Sequence, residues 1–166
     1  MRRRNFGSAR MVWLSIGLVV AAVAGTAGCS GSGHDENPRS GATPSESSTI
    51  ITKEATEFGG IVIPDDASVL DARTEHGRDT LYRLALSTGP EGVQQLLRAS
   101  NFSTPLVKVF RVAETTIAGP PLDTSPSILR AEDEYRGSDG KSIYRIIIVD
   151  ERDQATRYVH IQLFDT

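Results

Sequence analysis

The chain has 166 residues, 39% of them apolar, one cysteine and a formal net charge of −3. That bounds it to one modest domain with length to spare. A single cysteine excludes an internal disulfide and a multi-cysteine zinc site.

Residues 1–28 have the order of a secretory signal: Arg2, Arg3, Arg4 and Arg10, an apolar run from Met11 to Ala24, then small residues. The apolar run is close to the lower limit of about 17 residues for a spanning helix, so an uncleaved anchor stays open. Arg3-Arg4-Asn5-Phe6 resembles the core of a twin-arginine export motif, from which Gly7 and Ser8 depart. Thr26-Ala27-Gly28-Cys29 resembles the bacterial lipobox. That resemblance implies a lipidated Cys29: the thiol takes a diacylglycerol, the peptide is cut before it, and the new N-terminus is acylated, as with palmitate. Small residues give a peptidase access to the backbone, and the thiol is the nucleophile that accepts lipid. Thr26 stands where the motif usually has leucine. The alternative is a plain signal cut after Ala22-Val23-Ala24, with Cys29 incidental.

Four of the eighteen basic residues precede Cys29, which leaves fourteen basic against twenty-one acidic residues and a net charge of −7. The rest of the chain has no basic run, so neither nucleic acid nor an anionic membrane surface is expected as its partner. Arginine outnumbers lysine fifteen to three, a skew typical of GC-rich genomes.

Residues 29–48 read as an acylated cysteine followed by a disordered tether of Gly, Ser, Pro and charge. As coil, about 20 residues span about 25 Å. A single folded domain is expected over residues 49–166.

Ser68–Glu75 and Asp79–Ser87 have strand character. A three-residue loop, His76-Gly77-Arg78, would pair Leu70 with Leu84, Ala72 with Tyr82 and Asp71 with Arg83. A helix follows: Thr88 or Gly89 as cap, Pro90 and Glu91 in the first turn, and a stripe of Val93, Leu96, Leu97 and Ser100 ending near Asn101. Residues 104–112 alternate as a strand, 118–127 are turn-rich, and 128–136 read as a short helix or a loop. The clearest hairpin is the last, Ser142–Asp150 and Ala155–Phe164 around a loop at 151–154. Ile146–Val149 carry apolar groups on both faces, so this strand is expected to be central and covered on both sides. Val159, Ile161 and Leu163 share one face, and Tyr158, His160 and Gln162 the other. These elements predict an α+β domain, an antiparallel sheet of two hairpins and a possible extra strand packed by one main helix.

The sequence offers no catalytic, cofactor-binding or metal residue. Gly140-Lys141-Ser142 lacks the earlier glycine of a P-loop, because position 135 is Tyr, and it leads into a strand. His34, His76 and His160 have no second ligand at zinc spacing, and His160 reads as a half-buried strand residue. Asp65-Asp66 and Glu132-Asp133-Glu134 read as solvated surface or turn; with Asp139 and Asp150 the second run is a weak calcium candidate that does not match an EF-hand. No Gly-x-Ser-x-Gly elbow occurs. Asn101-Phe102-Ser103 matches a glycosylation sequon, without meaning for bacterial secretion.

Three features give a resemblance over the whole chain: the Cys29 lipobox with its tether, Gly60-Ile61-Val62-Ile63-Pro64-x-x-Ala67, and the ending Val149-Asp150 … Tyr158-Val159-His160-Ile161-x-x-Phe164-x-Thr166. The chain resembles small uncharacterised lipoproteins of high-GC Gram-positive bacteria. This resemblance implies a lipid anchor on the extracytoplasmic side of the cell membrane and brings no catalytic residues. The expected function is a non-catalytic binding or interaction module of the envelope, with an envelope protein, a wall polymer or a small ligand as partner. The alternatives are an envelope hydrolase with scattered carboxylates, or an accessory subunit of a transporter or sensor. The outer face of Ile146–Val149 is either covered by loops 104–136 or left for a partner or a second copy.

Overall fold

The computed structural model describes residues 45–165; Thr26, Ala27, Gly28 and Cys29 lie outside the described residues. Helices α1 (Glu46–Gly59) and α2 (Pro90–Ala99) pack with six strands: β1 (Ser68–His76), β2 (Thr80–Thr88), β3 (Val107–Val109), β4 (Ile128–Arg136), β5 (Ser142–Asp150) and β6 (Arg157–Asp165). The strands form one antiparallel sheet in the order β1-β2-β6-β5-β4-β3. This is an α+β fold, with β2, β6 and β5 in the middle.

Helix α1 is an addition to the expected elements, and it makes two helices where one main helix was predicted. It begins at Glu46, ahead of the expected domain start at Thr49. The Ser45 hydroxyl accepts the Ser48 N–H and caps its start, and Gly60, at φ 60°, turns the chain out of its end. Ser48, Ile51, Ala55 and Phe58 recur at helical spacing on its inner side, and the first and third are small enough to let the helix lie close. Gly59 takes this furthest: a Cβ there would stand 2.6 Å from Leu163 Cδ1.

Helix α2 matches its expected bounds. Gly89 is its N-cap, Pro90 sits in the first turn, and Val93, Leu96 and Ser100 are buried beneath it. Asn101 ends it in the left-handed region at φ 49°.

The first hairpin corrects the expected register. Its loop is Gly77-Arg78-Asp79, and Ala72 pairs with Leu84, Thr74 with Tyr82 and Arg73 with Arg83. Ala72, Tyr82, Leu84 and Leu86 face the core as expected, but Leu70 does not, and the partners slide by two residues. A bulge between Val69 and Asp71 takes back one residue of the slide, sets Val69 against the core and carries Leu70 out toward Gly119. Arg83 therefore pairs with Glu75 at 3.5 Å and not with Asp71, which receives the Arg73 Nε at 2.9 Å.

Residues 128–136, expected as a short helix or a loop, are a nine-residue strand paired along its length with β5. The strand expected over 104–112 shrinks to Val107–Val109, held against Ile128–Arg130 at the edge of the sheet.

One row of side chains, Ala131, Ile147, Ile161, Leu84 and Ala72, crosses five strands on the helix face. Its members Ile147, Ile161, Leu84 and Ala72 form the main core with Leu86, Val159, Leu163, Val93, Leu96 and Ala55. Each fully buried Leu, Ile or Val contributes about 1.5–3 kcal/mol relative to exposure. On the outer face, Ile146, Ile148 and Ile128 pack with Leu122, Val109 and Val112. The loop therefore covers the outer side of β5, and no second copy is needed to bury it. The cover is pinned by polar ties. Ser125 Oγ donates to the buried Asp150 carboxylate at 2.5 Å, Arg152 donates to Asp150 and to Pro121 O, and Arg73 donates to Ile117 O.

Candidate functional site

Ionisable groups held out of water mark either chemistry or architecture. Arg145 lies on the helix face of β5 and is 1% exposed. Its neighbour across the β4–β5 ladder is Asp133. Arg145 Nε and Nη2 donate to the two Asp133 oxygens, each at 2.7 Å. Arg145 Nη1 donates to Gly59 O at 3.1 Å and Ser100 O at 3.0 Å, and Nη2 reaches Asn101 O at 3.4 Å. All five guanidinium N–H groups thus have acceptors. Phe102 and Tyr135 stack over the guanidinium, their ring centroids 4.4 and 5.0 Å from Cζ.

Those carbonyls identify the role. Gly59 ends α1, and Ser100 and Asn101 end α2, where carbonyls lack helical partners and the dipole is negative. One arginine caps both helices onto the sheet. Asp133 also accepts the Ser103 N–H at 2.8 Å and its hydroxyl at 3.2 Å. Burial pushes the Asp133 carboxyl up, but the bonds from Arg145 and Ser103 outweigh it and hold the group below the usual carboxylate range. A general acid needs the opposite shift.

The acidic run 132–134 is therefore not uniformly solvated. Asp133 is the buried partner of Arg145, and Glu132 pairs with Arg130 on the outer face. Asp66 also has a structural partner: it accepts the Thr88 hydroxyl at 3.0 Å beside the start of α2. The sequence signal for Arg145 was a lone cation inside Ser142–Asp150, whose other inward positions are apolar.

His160, expected to be half-buried, is 5% exposed, between Ile148 and Ala85 on the outer face. Among the described residues neither of its ring nitrogens has a hydrogen-bond partner. Burial holds its pKa below the ordinary histidine value, against the pull of Asp150. His76 stands in the first hairpin, its Nε2 3.3 Å from Thr74 Oγ1. Among the described residues no three His, Cys, Asp or Glu side chains are arranged to hold a metal ion, and no helix is long and apolar enough to cross a membrane.

A cleft of about 610 Å³ lies open to a ligand between residues 110–116, which follow β3, and residues 121–125 with Ile128. Val112, Leu122 and Ile128 form its apolar floor, continuous with the outer core. Its polar groups are Arg111, Glu114, Thr115, Thr116, Asp123 and Ser125. Glu114 is tied to Arg130 at 3.3 Å. Ser125 is tied to Asp150, which leaves Arg111, Thr115 and Asp123 as the exposed polar side chains of the cleft. Phe110 stands at the rim, 97% exposed. The cleft could not be read from the sequence, because it is built by a connection whose one regular turn is a 3-10 helix, Leu122–Thr124, and whose shape comes from the ties to Arg130, Asp150 and Arg152. No protein-family model matches the chain, and no curated protein or solved structure is significantly similar to it.

Proposed function

We propose that this chain is a lipid-anchored module on the extracytoplasmic side of the cell membrane, which binds an envelope protein or a wall polymer without turning it over. The Cys29 lipobox and the Gly/Ser-rich tract after it support the anchor. The observation that carries the binding reading is the cleft between residues 110–116 and 121–125: an apolar floor, an aromatic rim and a few exposed polar groups make up the usual chemistry of a recognition surface.

Binding is favoured over carboxylate hydrolysis by how the acids are used. Asp133 is held ionised by Arg145, Asp150 secures Ser125 and Arg152, and Glu114 faces Arg130. Hydrolysis of a glycosidic bond needs two acids facing each other across about 5–9.5 Å, one with a raised pKa.

The test is photocrosslinking in intact cells. A photoreactive side chain at Thr115 in the cleft should give an adduct of defined mass, while one at Gln94 on the exposed side of α2 should not. Cys29→Ala should release the protein from the membrane fraction. No adduct specific to Thr115 overturns the binding reading, and a Cys29→Ala chain that stays with the membrane overturns the anchor.

A further inference from the structure

The two most exposed large apolar side chains among the described residues are Phe110, at 97%, and one of a pair at 55%, Val107. They stand within four residues of each other, at and just after the edge strand β3. Lys108 and Arg111 lie between and beside them, and both are exposed. An exposed Phe alone means little. Its setting means more: residues 92–113 contain no Asp or Glu and hold Arg98, Lys108 and Arg111, in a chain that is otherwise strongly acidic after Cys29. It is the longest acid-free run in that part of the sequence. Val107 to Arg111 itself therefore carries two cations and no acid, opposite in sign to the net charge.

We infer, against the expectation drawn from the absence of a basic run, that the β3 edge, Val107 to Arg111, docks onto an anionic lipid surface. Phe110 and Val107 enter the interfacial layer, and Lys108 and Arg111 meet lipid phosphates beside them. This pairing of apolar insertion with flanking cations is how peripheral segments hold to anionic bilayers. Two cations and one aromatic ring make a weak contact on their own. The inference rests on the proposed anchor at Cys29, because a tethered domain meets the surface at an effective concentration near millimolar, where weak contacts are occupied. The net charge of −7 after Cys29 repels an anionic surface in other orientations, so it selects this edge. Asp123, an exposed acid, stands on the other wall of the cleft, and Glu114 and Glu132 share Arg130 on β4, so the cations that face the bilayer are Lys108 and Arg111 alone. Docking in this pose sets the mouth of the cleft beside the bilayer.

The experiment uses the full chain with Trp13→Phe, which removes its only tryptophan, and Phe110→Trp as the reporter. The lone Cys29 is coupled to a maleimide lipid in vesicles, so the readout is independent of whether cells lipidate this residue. In vesicles containing phosphatidylglycerol, emission from the Phe110→Trp reporter should shift to the blue and be quenched by brominated acyl chains. Vesicles of phosphatidylcholine alone should give little of either. A reporter at exposed Gln154, in the loop before β6, should remain unquenched. Replacing Lys108 or Arg111 with Gln should weaken docking about five-fold each, with far-UV circular dichroism unchanged. Equal quenching in neutral vesicles, quenching that survives both Gln replacements, or no quenching of the Phe110→Trp reporter overturns the inference. Failure of Cys29→Ala to leave the membrane fraction of cells overturns the anchor alone.

Discussion

Arg145 and Asp133 form a two-pronged ion pair buried beneath both helices, and the same guanidinium holds the last carbonyls of each helix. Removing one partner leaves a charge buried without compensation, which costs about 3–5 kcal/mol. Arg145→Met should cost at least that much, because Gly59, Ser100 and Asn101 lose their donor as well. Adding Asp133→Leu to Arg145→Met should recover part of the loss, since it removes the stranded carboxylate but not the uncapped carbonyls. Urea unfolding of the two single variants and the double variant checks this; losses that simply add would show that the pair is not coupled. The Asp133 pKa is lowered in the folded state from an ordinary value of 3.8. Its stabilisation is therefore complete above about pH 3.8 and fades only as the pH falls further, through the folded-state value.

His160 works in another pH range. Its pKa falls below 6.5 on folding, so between the two values the unfolded chain holds a proton that the folded chain lacks. Stability must then drop as the pH falls below about 6.5, by up to about 1.4 kcal/mol per pH unit. His160→Leu should flatten that slope. It should also stabilise the protein at pH 7, by removing a buried ring whose nitrogens have no partners. Melting curves of both proteins from pH 7.5 to 5 check this, and parallel pH profiles would disprove the role of His160.

Where side chains obey one local rule, the sequence was readable. The stripe and first turn of α2 and the apolar runs of β5 and β6 gave their elements directly, as well as the α+β class. Helix α1 escaped because two of its inward positions are Ser48 and Ala55, which carry almost no hydrophobic signal. Strand β4 escaped because one of its inward positions is Asp133, a polar intruder that makes sense only with Arg145 twelve residues away. The slide in the first hairpin starts at its loop, which is Gly77-Arg78-Asp79 and not His76-Gly77-Arg78; both loops have three residues and suit the same apolar alternation on the second strand. The cleft was the least legible part, since one wall is positioned by Asp150 and Arg152 and the other by Arg130, all from other parts of the chain.

Gly92 sets two local rules against each other. In an exposed helix, Gly→Ala stabilises by about 1 kcal/mol. Here a Cβ would collide with Thr88 Oγ1 and stand 2.9 Å from both Asp66 carboxylate oxygens. Those groups are bonded to each other at 3.0 Å and tie the loop before β1 to the start of α2. Gly92→Ala should therefore destabilise, by about 1–3 kcal/mol as for other overpacked sites. Thermal unfolding decides the sign. A stabilised Gly92→Ala protein would mean that Thr88 and Asp66 move aside freely and that their tie contributes little.

The first turn of α1 holds two contacts that a chain cut at Thr49 would lose. Ser48 is buried; its hydroxyl donates to Asp71 Oδ1 at 3.0 Å and lies 3.4 Å from the Ala72 N–H at the β1 bulge. Ser45 caps the helix one turn earlier. A chain shortened to residues 49–166 loses both, whereas one starting at Arg39 keeps both. The lost cap alone costs about 0.5–2 kcal/mol, and the loss of the Ser48 hydroxyl leaves Asp71 one partner short at the bulge. The shorter chain should melt earlier, and amide exchange should quicken in α1 and around Ala72 while Ile147 and Ile161 stay protected. Ser48→Ala in the longer chain should reproduce the change at Ala72 without unfolding the start of α1. If the two shortened chains melt alike, the first turn of α1 is not part of the cooperative unit, and the domain starts at Thr49 after all.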